Sequence, residues 1–269
     1  MPIDIRNLII LIFIVLLLSA CGTGDGSVGF ADGQSPDPVA VDYPIAYVKR
    51  PLPADDDGNL LVNDVRELVS FRPGADLFVR PRSSSSTSDT NVTSAITQGE
   101  GDVRDAEFSF DGDKVVFSMR EPLIDGADEA DQPTWNIWEY EFSSKTLRPV
   151  IASSITAEAG HDIAPHYLPD DRIVFSSTRQ RQSRAILLDE GKPQFAAQDE
   201  NRNEPAFVLH VMNNDGTGIK QISYNQSHDM DPSVLSNGQI VFSRWDHAPG
   251  NDAIHLYRSN PDGTGLELL

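Results

Sequence analysis

Three stretches of the chain set apolar and polar residues in nearly the same order. They read "DAEFSFDGDKVVFS" at 105–118, "DIAPHYLPDDRIVFS" at 162–176 and "DMDPSVLSNGQIVFS" at 229–243. Each opens on Asp, passes through a half-apolar segment, reverses at an Asp/Asn/Gly pair and ends in a β-branched run closed by Phe-Ser. Asp, Asn and Gly supply the backbone angles of a tight reversal, and a Val/Ile/Phe run fits a pleated, buried strand, so each stretch predicts a β-hairpin. A second alternating hairpin answers each copy, over 135–151, 207–223 and 253–269, and the last two turn on "NDGTG" and "PDGTG". The result is four strands per unit. The closing Phe residues, Phe117, Phe175 and Phe242, are offset by 58 and 67 residues, longer than a minimal blade, with the excess in loops where a repeat fold accepts insertions.

A four-stranded antiparallel sheet cannot cover both of its faces alone, whereas sheets stacked radially cover each other. The expected fold is therefore all-β, an incomplete β-propeller of about three four-stranded blades over 103–269, with a degenerate first blade over 43–102. A stacked β-solenoid is the second choice. The degenerate unit rests on the strand-like segments "YPIAYVKR" at 43–50 and "ADLFVR" at 75–80, and on 92–97. Between them lie an acidic loop at 55–59, whose Gly58 falls too early for an EF-hand, and a serine tract at 83–88.

With the strands of a blade called a to d from the axis outward, the a–b and c–d turns share one face and the b–c and d–a connections share the other. The first face carries compact turns. The second carries the insertions 121–133, 180–205 and 246–252, and it is where binding is expected. His161-Asp162 and His228-Asp229 enter strand a at equivalent positions there, with Arg104-Asp105 in the same place in the second unit. Arg120, Arg179 and Arg244 end the b strands, with Arg50 in the first unit. These residues have two readings. The Asp and Arg residues pair with each other and with neighbouring backbone, or else Arg120, Arg179, Arg244, His161, Asp162, His228 and Asp229 line a ligand face for a protein partner or a small anion. In the second reading His161, Asp162, His228 and Asp229 could also hold a divalent metal, imidazole and carboxylate being a suitable donor pair. Trp138 and Tyr257 stand on c strands, where packing between blades explains them better than a carbohydrate platform.

Residues 8–18 are unbroken apolar, too few to span a bilayer but suited to the core of a secretory signal. They run into Leu18-Ser19-Ala20-Cys21, which has the form of a bacterial lipobox. The expectation is a lipoprotein signal at 1–20 and a lipidated Cys21 that begins a Gly/Ser/Asp/Pro tether over 21–42. Gly22 after the Cys favours the periplasmic face of the outer membrane. Cys21 is the single cysteine, so the chain holds no disulfide, thiolate metal cage or C-x-x-C-H haem attachment, and no cofactor beyond the metal just considered is expected within it. A net charge of −20 argues against a nucleic-acid partner. No G-x-S-x-G turn, nucleophile-histidine spacing or phosphate loop stands out, and a non-enzymatic chain is favoured.

The repeat D-x-x-P…I-V-F-S followed by N-x-D-G-T-G resembles the propeller repeats of TolB-like proteins. More narrowly, residues 214–269 resemble the propeller-type middle domain of the hydrazine synthase alpha subunit and its homologues. The resemblance covers about 103–269 and speaks to fold. It implies two functional expectations, a membrane-tethered binding or scaffold propeller, or the propeller portion of a larger multi-haem redox protein whose haem part is not in this chain. Three units and a partial one make an open arc, so the native protein is expected to continue past Leu269.

Overall fold

A computed structural model describes residues 43–52, 54, 57–60, 67–83, 87–193, 196–199, 205–248 and 251–269. The signal, Cys21 and the tether lie outside the described residues, as do parts of the acidic loop and the serine tract. The described residues belong to one compact unit, Asp42–Leu269.

That unit is four antiparallel sheets. The first holds β1 (Ile45–Lys49), β2 (Asp76–Arg80) and β3 (Thr90–Asn91); the second β4 (Asp102–Phe108), β5 (Lys114–Arg120), β6 (Asn136–Glu141) and β7 (Thr146–Pro149). The third is β8 (Asp162–Tyr167), β9 (Ile173–Ser177), β10 (Val208–Met212) and β11 (Lys220–Gln221); the fourth β12 (Asp229–Val234), β13 (Ile240–Ala248), β14 (Asn251–Ser259) and β15 (Glu267–Leu268). In every sheet the strands lie side by side in chain order. The a strands β4, β8 and β12 are neighbours across sheets, and the architecture is the incomplete β-propeller expected from the repeats.

The first sheet is a blade without its innermost strand among the described residues. Val92 N donates to Leu77 O, as Val150 N does to Ile137 O, Ile222 N to Leu209 O and Leu269 N to Leu256 O. This bond ties strand d to strand c, so β2 is a c strand and β1 a b strand. Arg50 then ends a b strand, as expected.

The core lies between sheets rather than within one layer. Phe117 packs with Leu77 and Val79, Phe175 with Ile137 and Val150, and Phe242 with Leu209 and Ile222. The three repeated Phe residues are 0, 0 and 2% exposed, and burial of each contributes roughly 1.5–3 kcal/mol. Trp138 and Tyr257 belong to the same inter-sheet clusters, which accounts for both aromatics as packing.

The "DGTG" turns have a second job beyond reversing the chain. A Cβ on Gly216 would sit 2.2 Å from Val150 O, and one on Gly263 2.1 Å from Ile222 O. Each turn therefore seats its backbone on strand d of the preceding blade, at φ 78° and 87°, where only Gly fits both the angle and the approach. Asp215 and Asp262 hold the turns by accepting from Thr217 and Thr264.

Three expectations need correction. The opening Asp of the second unit was equated with those of the third and fourth, but pairing places Arg104 opposite Ser118, Ile163 opposite Ser176 and Met230 opposite Ser243. Asp105 thus matches Ala164 and Asp231, all three at positive φ (56°, 51°, 47°) in a shared β-bulge. Val103 fills the place of Asp162 and Asp229. The segment 246–252 is not a loop insertion, because β13 and β14 continue as a paired hairpin to Ala248 and Asn251. The insertion at 180–205 contains a helix, α3 (Arg181–Asp189), besides the four-residue helices α1 (Ser94–Thr97) and α2 (Ser154–Ala157).

Replacing Gly112, which has φ 76° and open space around its Cβ position, with Ala should cost about 1–2 kcal/mol of backbone strain. Gly216→Ala should lose a further ~1–3 kcal/mol for the steric conflict, read as the difference in urea midpoints; equal losses would remove the proposed role of the turn.

Candidate functional site

The residues singled out at the strand entries turn out to fasten blades together. Asp162 is fully buried; Arg179 meets it through Nε at 3.0 Å and through Nη2, and Ser177 donates to it at 2.6 Å. The same guanidinium donates to Thr156 O and Ala157 O, which holds the end of α2 against the sheet. Asp229 takes Arg244 bidentately at 2.7 and 3.0 Å, and Arg244 lies 5.1 Å from the Tyr257 ring. Burial raises the Asp162 carboxyl to about 6 against the pull of Arg179, and raises Asp229 likewise.

His161 Nδ1 accepts from Trp135 N, and His228 Nδ1 from Phe207 N, both at 3.1 Å. The next residue completes each clasp: Asp162 N donates to Trp135 O and Asp229 N to Phe207 O, both 2.8 Å. A His-Asp entry therefore bolts strand a of one blade onto the start of strand c in the blade before. In the second blade Asp102 stands in the histidine place, with its carboxylate accepting from Arg72 N at 2.8 Å and pairing with Arg50 at 3.0 Å.

These contacts are those of the first reading: Arg179 and Arg244 meet the Asp residues, and His161 and His228 each use Nδ1 on a backbone amide. Among the described residues no group of three or more His, Cys, Asp or Glu side chains is placed to hold one. Arg120 stands apart. Its Nε donates to Pro133 O at 2.6 Å and its guanidinium lies 5.1 Å from the Phe71 ring, and no carboxylate among the described residues pairs with it.

The structure brings a different group together. A cleft of about 420 Å³ on the inner side of the a strands is lined by Arg50, Arg72, Arg104, Glu67, Asp105 and Asp231. Arg104 donates to Leu68 O at 2.6 Å, pairs with Asp105 at 3.2 Å and stacks 4.5 Å from the Trp135 ring. Leu68 and Val69 pack on Trp135, Ile163 and Phe207, so the end of the b–c connection of the first sheet reaches the second and third sheets and lines the cleft with Glu67, Leu68, Ser70 and Arg72. Asp105 also accepts from Ser118 Oγ and Ala164 N, each at 3.1 Å. Although solvent reaches its carboxylate, Asp231 is raised by the walls of the cleft and by Asp105 beside it. His166 lies 3.9 Å from Glu107 on the same strand layer.

Sequence reasoning did not single out Asp231, because the two-residue slip in the second unit hid its match with Asp105. The positive-φ bulge that reveals the match leaves no mark in residue type, since Ala164 occupies it in the third blade.

No protein-family model matches the chain, and no curated protein matches it. Among solved structures, hydrazine synthase of Kuenenia stuttgartiensis is similar with a TM-score of 0.56 and 15% identity, over 85% of this chain and 32% of that one. This likeness is one of fold. A putative TolB from Agrobacterium tumefaciens has TM-score 0.47 and 14% identity over 74% of this chain and 58% of its own; TolB from Acinetobacter baumannii has 0.45 and 13% over 72% and 37%. The chain is a β-propeller module, and it spans about a third of the hydrazine synthase chain it matches.

Burial lowers His161 and His228 to about 4, with Arg120 and Arg104 adding to the effect at His161. The unfolded chain takes up these protons near 6.5, while the folded chain resists them until about 4. The histidines' contribution to stability is therefore full above 6.5 and should fall as pH is lowered towards 4, by up to about 1.4 kcal/mol per pH unit for each, while the raised Asp162 carboxyl acts in the opposite sense below about 6. His228→Asn should flatten the profile in urea titrations at stepped pH; an unchanged slope would contradict the clasp.

Proposed function

We propose that the chain is a membrane-tethered, extracytoplasmic lipoprotein whose propeller works as a binding or scaffold module, with its contact surface on the loop-rich side around the axial cleft. The observation that carries this reading is the cleft itself. Its arginines and carboxylates are held by the blade framework and line one open volume, while Asp162 and Asp229 engage Arg179 and Arg244, and His161 and His228 engage backbone amides. A wall of Arg50, Arg72 and Arg104 against Asp105 and Asp231 suits a partner segment or small molecule that carries charges of both signs. Such a surface fixes orientation and register more than raw affinity.

Export and anchoring rest on the apolar run at 8–18 and Leu18-Ser19-Ala20-Cys21. Two acyl chains at a cysteine, or one with a second anchor, hold a protein at a membrane face where one chain would not. The setting would be the periplasmic side of an outer membrane.

The second reading, a propeller portion of a larger redox protein, draws only on the fold likeness to hydrazine synthase. With Cys21 the single cysteine, haem would have to be attached to another part of that protein, and C-x-x-C-H motifs in the downstream reading frame would favour this alternative.

Two outcomes test the proposal. Cys21→Ser should abolish incorporation of labelled palmitate and move the protein out of the membrane fraction, and retention of label would refute the anchor. A photo-crosslinking residue at Glu129, on the loop-rich side, should capture a discrete partner whose yield falls at least tenfold in an Asp231→Arg background. The same probe at Asp262, on the turn side, should not capture it; equal capture from both sides would remove the binding face.

A further inference from the structure

The pattern Asn-x-Ser/Thr occurs at two places in the sequence, Asn91-Val92-Thr93 and Asn225-Gln226-Ser227. In an exported chain this spacing is the acceptor pattern for a glycan on the Asn amide nitrogen. The tripeptide alone does not choose between the two, but their surroundings in the fold differ.

Asn91 ends β3, the outermost strand of the first sheet, and is partly exposed. Its carboxamide is held through oxygen alone. Asn91 Oδ1 accepts from Thr93 N at 3.1 Å and from Ser94 N at 3.0 Å, an Asx turn that leads the chain into α1. No acceptor among the described residues takes its Nδ2. Asn225 is fixed the other way round, because its Nδ2 donates to His228 O at 3.1 Å and to Trp245 O at 3.0 Å. A sugar on that nitrogen would leave it one N–H, so one of the two carbonyls would lose its donor.

The Asx turn also bears on reactivity. An amide nitrogen is a poor nucleophile because its lone pair is shared with the carbonyl, and loss of an Nδ2 proton moves charge onto Oδ1. At Asn91 two N–H groups already point at that oxygen. Both come from residues within three positions, so the arrangement needs no part of the sheet. Thr93, in contrast, is fully buried in the folded sheet and its hydroxyl donates to Asp76 at 2.7 Å. A transferase can therefore read that hydroxyl only before the first sheet closes, while an exported chain is still emerging.

We propose that Asn91 is an N-glycosylation site, filled as the chain leaves the membrane, and that Asn225 stays bare. The donor is a lipid-linked glycosyl pyrophosphate. The bond from Nδ2 to the anomeric carbon forms as the bond from that carbon to the pyrophosphate oxygen breaks. Its electron pair leaves with the pyrophosphate, and one Nδ2 proton passes to a base of the transferase. The folded sheet then carries the glycan without losing a hydrogen bond, since only Oδ1 of Asn91 is engaged. This inference rests on the export proposed above and is separate from the binding face.

The full chain, exported in cells that make such a donor and its transferase, should carry added sugar mass on the tryptic peptide 83–104, with peptide 221–244 at its unmodified mass. Asn91→Asp keeps a side-chain oxygen for Thr93 N and Ser94 N but has no nitrogen to glycosylate. It should lose the added mass with the β-sheet circular dichroism unchanged. Should that variant misfold, fragment ions of the parent peptide still locate the sugar, and a sugar found in the serine tract at 83–88 or on Asn225 overturns the proposal. So does a bare Asn91 in protein whose N-terminus is a lipidated Cys21. A bare chain that retains residues 1–20 overturns the export reading, and this inference with it.

Discussion

Every sheet in this protein has two apolar faces that only another sheet can dry. That constraint explains why the closing Phe of the hairpin recurs, and why each copy is buried against the strands of the blade before it. It also explains why Gly recurs in the c–d turn, since each turn must bring backbone onto the neighbouring strand at a distance no side chain allows. The repeat is a recipe for an interface, written once per blade.

The same demand claims most of the charged residues that would otherwise read as chemistry. Buried carboxylates at the strand entries need a cation within reach, and Arg179 and Arg244 supply it. Such pairs contribute little net stability over an apolar replacement, but removing one partner alone strands a buried charge. The histidines act through geometry instead, each taking a backbone amide from the adjacent blade. None of these residues lines the cleft, where Asp105 and Asp231 stand on bulges and Leu68 comes from the b–c connection of the first sheet.

The third blade shows how one scaffold can vary a site without changing its shape. Ala164 keeps the left-handed bulge of Asp105 and Asp231 yet contributes no carboxylate, so the acid pattern around the axis is uneven. Ala164 N instead donates to Asp105, which couples that acid to the neighbouring blade. Backbone geometry is thus common to the blades, and chemistry differs from one to the next.

Residue order alone determined the strand pattern, the four-strand unit, the side on which loops accumulate and the inter-blade role of Trp138 and Tyr257, because these follow from local periodicity and turn chemistry that repeat along the chain. The pairing of Asp with Arg at the b-strand ends was one of two readings open at that level. Only the tertiary structure shows the pairs, because each forms within one sheet, where the register of strands a and b sets Asp229 opposite Arg244 and Asp162 opposite Ser177, two residues before Arg179. Register also matched Asp105 with Asp231 instead of Asp229: the bulge is common to the three blades, but the a–b turn of the second is one residue longer, Phe108 facing Val115 where Tyr167 faces Ile173 and Val234 faces Ile240.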